Sequence, residues 1–129
     1  LGIAMQMTNI LRDLKEDALG GRIYLPKVEM EQFGYSEEDL MKFTLNKNFR
    51  ELMHYQISRA TGYYNTADEG IRMLDRDSRV TVGLMSRNYR KILEIIKEND
   101  FNVFASRAYV PVYRKLADVP KVMMEFGRA

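Results

Sequence analysis

The sequence predicts an all-α fold, and three observations predict it. Apolar residues recur at alternating steps of three and four along two long stretches. No run of useful length alternates apolar and polar residues as a half-buried strand would. The stretches end at Gly20-Gly21, Pro26 and Asn99-Asp100, residue types that stop helices.

The first predicted helix runs to about Leu19, where the two glycines end it. A short extended piece follows from Arg22 to Leu25, and Pro26 resets the chain. Ser36-Glu37-Glu38-Asp39 has the form of a helix start, with a serine cap and acids in the first turn. The longest helix is predicted over about residues 48–74. Phe49, Met53, Ile57, Ala60, Tyr64, Ala67, Ile71 and Leu74 form one buried stripe on it. The next is predicted over about residues 80–97, with Val82, Met85, Tyr89, Ile92 and Ile96 on one face. Residues 109–126 read as one or two short helices interrupted near Pro120.

Hydrophobic residues make up 46% and charged residues 29% of the 129, which suits a folded globular unit and excludes a disordered chain. With 20 basic and 18 acidic residues interspersed, there is no electrostatic footprint for nucleic acid. The absence of cysteine excludes disulfides and thiolate metal sites. No apolar run has the length of a bilayer span. The helical pattern is already running at Ile3, Met7 and Ile10 with no capping residue before it. Residues 1–129 are therefore expected to be the C-terminal portion of one larger helical domain.

The first helix carries the chemistry. On a helical wheel Ile3, Met7, Ile10 and Leu14 form an apolar face, and Thr8, Arg12 and Lys15 fall on a side expected to meet water. Gln6, Asn9, Asp13 and Asp17 form a separate stripe of amides and carboxylates. Asp13 and Asp17 stand one turn apart near the helix C-terminus, where both their mutual repulsion and the helix dipole disfavour them. Glu16 adds a third carboxylate. A cation would relieve this. Hard oxygen donors select Mg²⁺, which takes one or two carboxylates and completes its shell with phosphates and water. Alone, such a pair is an ordinary solvated face quenched by Arg12 and Lys15.

The wider string decides between these readings. Gln6, then Asn9-Ile10-Leu11-Arg12-Asp13, Glu16-Asp17 and Gly21-Arg22-Ile23-Tyr24-Leu25-Pro26 resemble, without a gap, the second aspartate-rich motif of the squalene/phytoene synthase family. Arg87-Asn88-Tyr89-Arg90-Lys91-Ile92-Leu93 resembles a late helix of that family. Asn99-Asp100-Phe101-Asn102-Val103-Phe104 with Arg107-Ala108-Tyr109-Val110 is similar to the end of its bacterial and plant-type phytoene synthases.

The resemblance implies an isoprenoid synthase bundle with a central cavity, faced by two aspartate-rich motifs. The first motif belongs to an N-terminal half that this sequence does not contain, so the chain alone is expected to be inactive. The resemblance assigns Asp13 and Asp17, with Asn9, to Mg²⁺, for which Mn²⁺ could substitute. It assigns Gln6, Asn9, Arg12, Tyr24, Tyr89 and Arg107 to the isoprenoid diphosphate substrate, and gives Asp13, Asp17 and Tyr89 catalytic roles. The implied reaction is the head-to-head condensation of two geranylgeranyl diphosphates, through a cyclopropyl (prephytoene) diphosphate, to phytoene in carotenoid synthesis.

Squalene, dehydrosqualene and presqualene diphosphate synthases, which use farnesyl diphosphate, share the motif. No dinucleotide fingerprint is present, so no nicotinamide cofactor is expected. A non-catalytic helical module would have no use for repelling carboxylates. The implied location is the cytoplasm, or the plastid in a plant or alga, beside a membrane that accepts the lipophilic product.

Overall fold

The computed structural model describes residues 1–127. Among them the elements are helical throughout: α1 (Gly2–Arg12), α2 (Leu14–Leu19), α3 (Lys27–Gln32), α4 (Glu37–Met41), α5 (Lys47–Ile71), α6 (Arg76–Glu98), α7 (Val112–Ala117) and α8 (Val119–Phe126). The unit expected over 1–129 is followed through Gly127; positions 128 and 129 lie outside the described residues.

The caps explain where the helices begin. Ser36 and Asp39 form a reciprocal capping box at α4, each side chain accepting from the other's backbone N–H at 3.0 Å. Asn46 accepts from the Phe49 N–H at 2.8 Å and starts α5. Asp75 does the same for Ser78 at 3.0 Å, so α6 opens at Arg76, earlier than its apolar pattern suggests. Pro120 sits in the first turn of α8, where a missing N–H is tolerated; the break from α7 falls at Asp118.

Helix α1 lies across both α5 and α6, and the far end of α6 carries α8. The main core gathers Leu52, Met53 and Ile57 of α5, Leu93 and Ile96 of α6, and Ala4, Leu11 and Leu14 from the first segment. At one end the Phe49 ring packs against Tyr35 and Phe104, and Phe104 in turn stacks on Phe43. The Phe49–Tyr35 centroids are 5.1 Å apart and the Phe49–Phe104 centroids 4.9 Å. The chain after α6 turns back through Asp100 and Phe101, both at positive φ (55° and 62°). Neither is glycine, so this corner carries backbone strain. It is held by the Phe101 N–H bond to the Ile96 carbonyl at 2.8 Å and by Val103 and Phe104, which are buried just beyond it.

The face of α1 that enters the core differs from the wheel's apolar face. Ala4, Thr8 and Leu11 are buried, whereas Ile3 is 59% exposed and Met7 and Ile10 only partly covered. Thr8, expected to meet water, is fully buried because it has a partner. Its hydroxyl donates to the Ala4 carbonyl at 2.8 Å, which leaves the Tyr64 hydroxyl to donate to Thr8 Oγ1 at 2.7 Å. Burial accordingly raises the Tyr64 pKa. Tyr64→Phe is expected to cost about 1–2 kcal/mol, since the Thr8 oxygen loses its donor. Urea unfolding of the full-length protein would measure this, and an unchanged midpoint would mean that the bond is dispensable.

A small second core joins Ile71 of α5 to Val122 and Phe126 of α8. It depends on Gly83, where a Cβ would stand 2.6 Å from the Phe126 ring. Gly83→Ala is expected to lower the thermal midpoint. Overpacking costs about 1–3 kcal/mol, against a helix-propensity gain of at most about 1 kcal/mol. A raised midpoint would show that α8 shifts freely to make room.

Candidate functional site

The sequence predicts one helix through Leu19, but the structure interrupts it at Asp13 (φ −102°, ψ 19°). This is the sparsely populated bridge region in which active-site residues often sit. The turn keeps its connections on both sides: Asp13 N–H donates to the Asn9 carbonyl at 3.0 Å, and Asp17 N–H donates to the Asp13 carbonyl at 2.9 Å. Asp13 and Asp17 thus remain on one side of the segment despite the break.

Gln6, Asn9, Asp13, Asp17 and Tyr24 line one cavity with Ile10, about 270 Å³ in volume. All five of these polar positions were singled out in the sequence. Tyr24 reaches it from the extended piece after Gly20-Gly21, with Gly21 at φ 76° supplying the left-handed turn. On the other side of α1 a second cavity of about 280 Å³ is lined by Arg12, Tyr89 and Arg107, the remaining three. Arg107 arrives on the segment that the Asp100-Phe101 corner turns back toward α1. Asn88, Tyr109 and Lys115 share this second cavity; the first two fall within the strings that carry the resemblance but were given no role, and Lys115 had no signal in the sequence. Asn88 lies beside Tyr89 on α6, but an irregular segment separates Lys115 from Arg107 and defeats any periodicity argument.

Asp13 divides the two cavities. Its Oδ1 accepts from Arg12 Nε at 2.9 Å and from Arg107 Nε at 3.0 Å, and its Oδ2 accepts from Arg12 Nη2 at 3.0 Å. Burial pushes the Asp13 carboxyl up, but hydrogen bonds from Arg12 and Arg107 outweigh it and hold the group below the usual carboxylate range. The Asp13 hydrogen bond, against the opposing effect of burial, raises the Arg12 pKa in turn. Arg12 is therefore mostly shielded, with 18% of its side chain exposed, and does not face open water as the wheel suggests.

The donor set fits a hard divalent cation. Asn9 Oδ1 is buried and lacks a hydrogen-bond partner, so an oxygen acceptor is left available in the cavity that also holds Asp13 and Asp17. Among the described residues no cluster of three or more His, Cys, Asp or Glu side chains is assembled. The set is thus two carboxylates and an amide oxygen, which suits a cation that completes its shell with phosphate and water. Asp39 and Asp75, by contrast, serve as capping residues at α4 and α6.

Residues 1–114 match the squalene/phytoene synthase family. The chain belongs to this family. It is 48% identical over 124 residues to a 15-cis-phytoene synthase of Synechococcus elongatus, covering 96% of this chain and 40% of that protein. It is 44% identical over 124 residues to a chloroplastic phytoene synthase of Zea mays, covering 96% of this chain and 29% of that protein. A solved dehydrosqualene synthase superposes with a TM-score of 0.87 at 30% identity, over 94% of this chain and 43% of that one. The all-α isoprenoid synthase fold is thereby established. The chain spans well under half the length of these relatives. Among the described residues no helix is long and apolar enough to cross a membrane.

Proposed function

We propose that the protein carrying this chain is a phytoene synthase, and that residues 1–129 supply one wall of its active site. The observation that carries the proposal is the pairing of an oxygen-donor cavity with an arginine-lined one across Asp13, in a chain 48% identical to a phytoene synthase. The substrate is geranylgeranyl diphosphate, and the missing first aspartate-rich motif would come from an N-terminal half.

Asp13, Asp17 and Asn9 are assigned to Mg²⁺, or Mn²⁺ in its place. When bound, the cation neutralises charge on the diphosphate leaving group. Arg12 and Arg107 donate to the diphosphate oxygens from the neighbouring cavity, with Tyr89 beside them, and so favour loss of the anion. The allylic carbon–oxygen bond breaks, the double bond of the second substrate attacks the resulting cation, and loss of a proton to the released diphosphate closes the ring of a cyclopropyl diphosphate. A second ionisation, rearrangement and loss of a proton give phytoene. No side chain need act as a nucleophile. Gln6 and Tyr24 orient the substrate at the cavity edge, and Ile10 contributes to a dry wall that denies water to the cation. No nicotinamide reductant enters this balance. We place the protein at a membrane surface, in the plastid if its source is a plant or alga.

The test is product analysis with the full-length protein, Mg²⁺ and either geranylgeranyl or farnesyl diphosphate, without a nicotinamide. Phytoene from the longer substrate supports the proposal. Efficient turnover of farnesyl diphosphate alone would favour the dehydrosqualene reading, which the structural likeness at 30% identity keeps in view.

A further inference from the structure

Three features single out Arg107. Its guanidinium is bonded to Asp13 Oδ1, the same oxygen that Arg12 Nε already occupies. It lines the cationic cavity, while Asp13 lines the oxygen-donor cavity. And 55% of its side chain is exposed, against 18% for Arg12, so Arg107 is the partner free to leave.

We propose that Arg107 is an exchangeable partner of Asp13 that makes cation binding and anion binding depend on each other. This rests on the assignment of Asp13 to the cation and of the arginine cavity to the diphosphate. With both cavities empty, two guanidinium groups satisfy one carboxylate, and the Arg107 bond occupies the Asp13 Oδ1 lone pair that a divalent cation would need. An anion in the second cavity competes for Arg107 and draws it off Asp13 Oδ1, freeing that lone pair for the cation. The linkage is reciprocal: a cation on Asp13 displaces Arg107 and offers its donors to the anion. Either ligand alone must break the Arg107–Asp13 bond; the second finds it already broken. Free diphosphate and the esterified diphosphate of a prenyl substrate share this chemistry.

Mn²⁺ binding to the full-length protein, read from the free-ion electron paramagnetic resonance signal, tests the exchange. Sulfate serves as an anion that chelates manganese poorly, with chloride at equal ionic strength as the reference. In the wild type, sulfate should tighten Mn²⁺ by about tenfold. Arg107→Gln should bind Mn²⁺ about tenfold tighter than the wild type without sulfate, and sulfate should add nothing. Lys115→Gln removes one positive charge from the same cavity but no bond to Asp13, so without sulfate it should leave Mn²⁺ binding near the wild-type level. Equal tightening by Lys115→Gln and Arg107→Gln would overturn the exchange in favour of general charge repulsion. A wild type indifferent to sulfate, with Arg107→Gln binding Mn²⁺ as the wild type does, would overturn it while leaving the site assignment standing. Asp13→Asn separates the two failures: unaltered Mn²⁺ binding there would remove the site assignment and the exchange together. Thermal melts confirm that each variant is folded.

Discussion

Asp13→Asn/Asp17→Asn in the full-length protein should lower kcat by at least about 10³-fold, since it removes the ligands of a cation that stabilises the leaving anion, and a single electrostatic stabiliser is commonly worth about 10²–10³. The substitutions are isosteric, and Asp17 has no structural role comparable to a cap. They remove the two negative charges of the oxygen-donor cavity while keeping its shape. Asp13→Asn also weakens the tie to Arg12 and Arg107, so the single variants should differ. Asp17→Asn should act mainly on cation affinity, and raised Mg²⁺ should partly rescue it. Asp13→Asn should resist rescue, because the orientation of the arginines is disturbed as well. Turnover within about tenfold of wild type in the double variant would take both carboxylates out of the mechanism, since electrostatic groups of this kind are worth far more.

Phe49→Ala should have the largest effect on stability, about 3–5 kcal/mol lost in urea unfolding. Phe49 is fully buried and touches Tyr35 and Phe104 at centroid distances of 5.1 and 4.9 Å. Its removal opens a cavity between three segments of the chain, and aromatic neighbours held at this corner cannot easily collapse into it. The consequence reaches the site through Phe104, which anchors the segment leading to Arg107. Anion binding should therefore weaken in Phe49→Ala even under conditions where the protein is folded. A loss below about 1 kcal/mol would mean that the aromatic cluster relaxes readily and does not fix the returning segment.

The long helices were legible as helices because their stripes are regular, but the stripes are not buried throughout: Ala67 of α5 and Val82 and Tyr89 of α6 are only partly covered, and Met85 is 42% exposed. Phe49, Met53, Ile57, Ala60, Tyr64 and Ile71 of the predicted stripe are all buried. Leu74 is not, since α5 ends at Ile71 and the chain turns before reaching it. α1 was legible as a helix but not in its facing. Thr8 enters the core through a hydrogen bond to Tyr64, 56 residues away, and no local pattern announces such a partner. With Thr8 inside, Ile3 turns outward. α3 was missed because six residues with one buried side chain, Met30, have no measurable period.

The candidate site was legible in part for the same physical reasons. The stripe of Gln6, Asn9, Asp13 and Asp17 is a local spacing, and the structure gathers it into one cavity with Tyr24. That Arg12 belongs to a different cavity with Tyr89 and Arg107 depends on how a distant segment folds back. Asn88 and Lys115 depend on it too. No spacing in the sequence encodes that return. Its causes are the strained corner at Asp100-Phe101 and the burial of Val103 and Phe104.

A crystal of the full-length protein grown with Mn²⁺ and pyrophosphate would place the metal by its anomalous scattering. The assignment requires a manganese ion bound by the carboxylates of Asp13 and Asp17, with the anion against Arg12 and Arg107. Manganese away from both carboxylates, and pyrophosphate outside the arginine cavity, would contradict it.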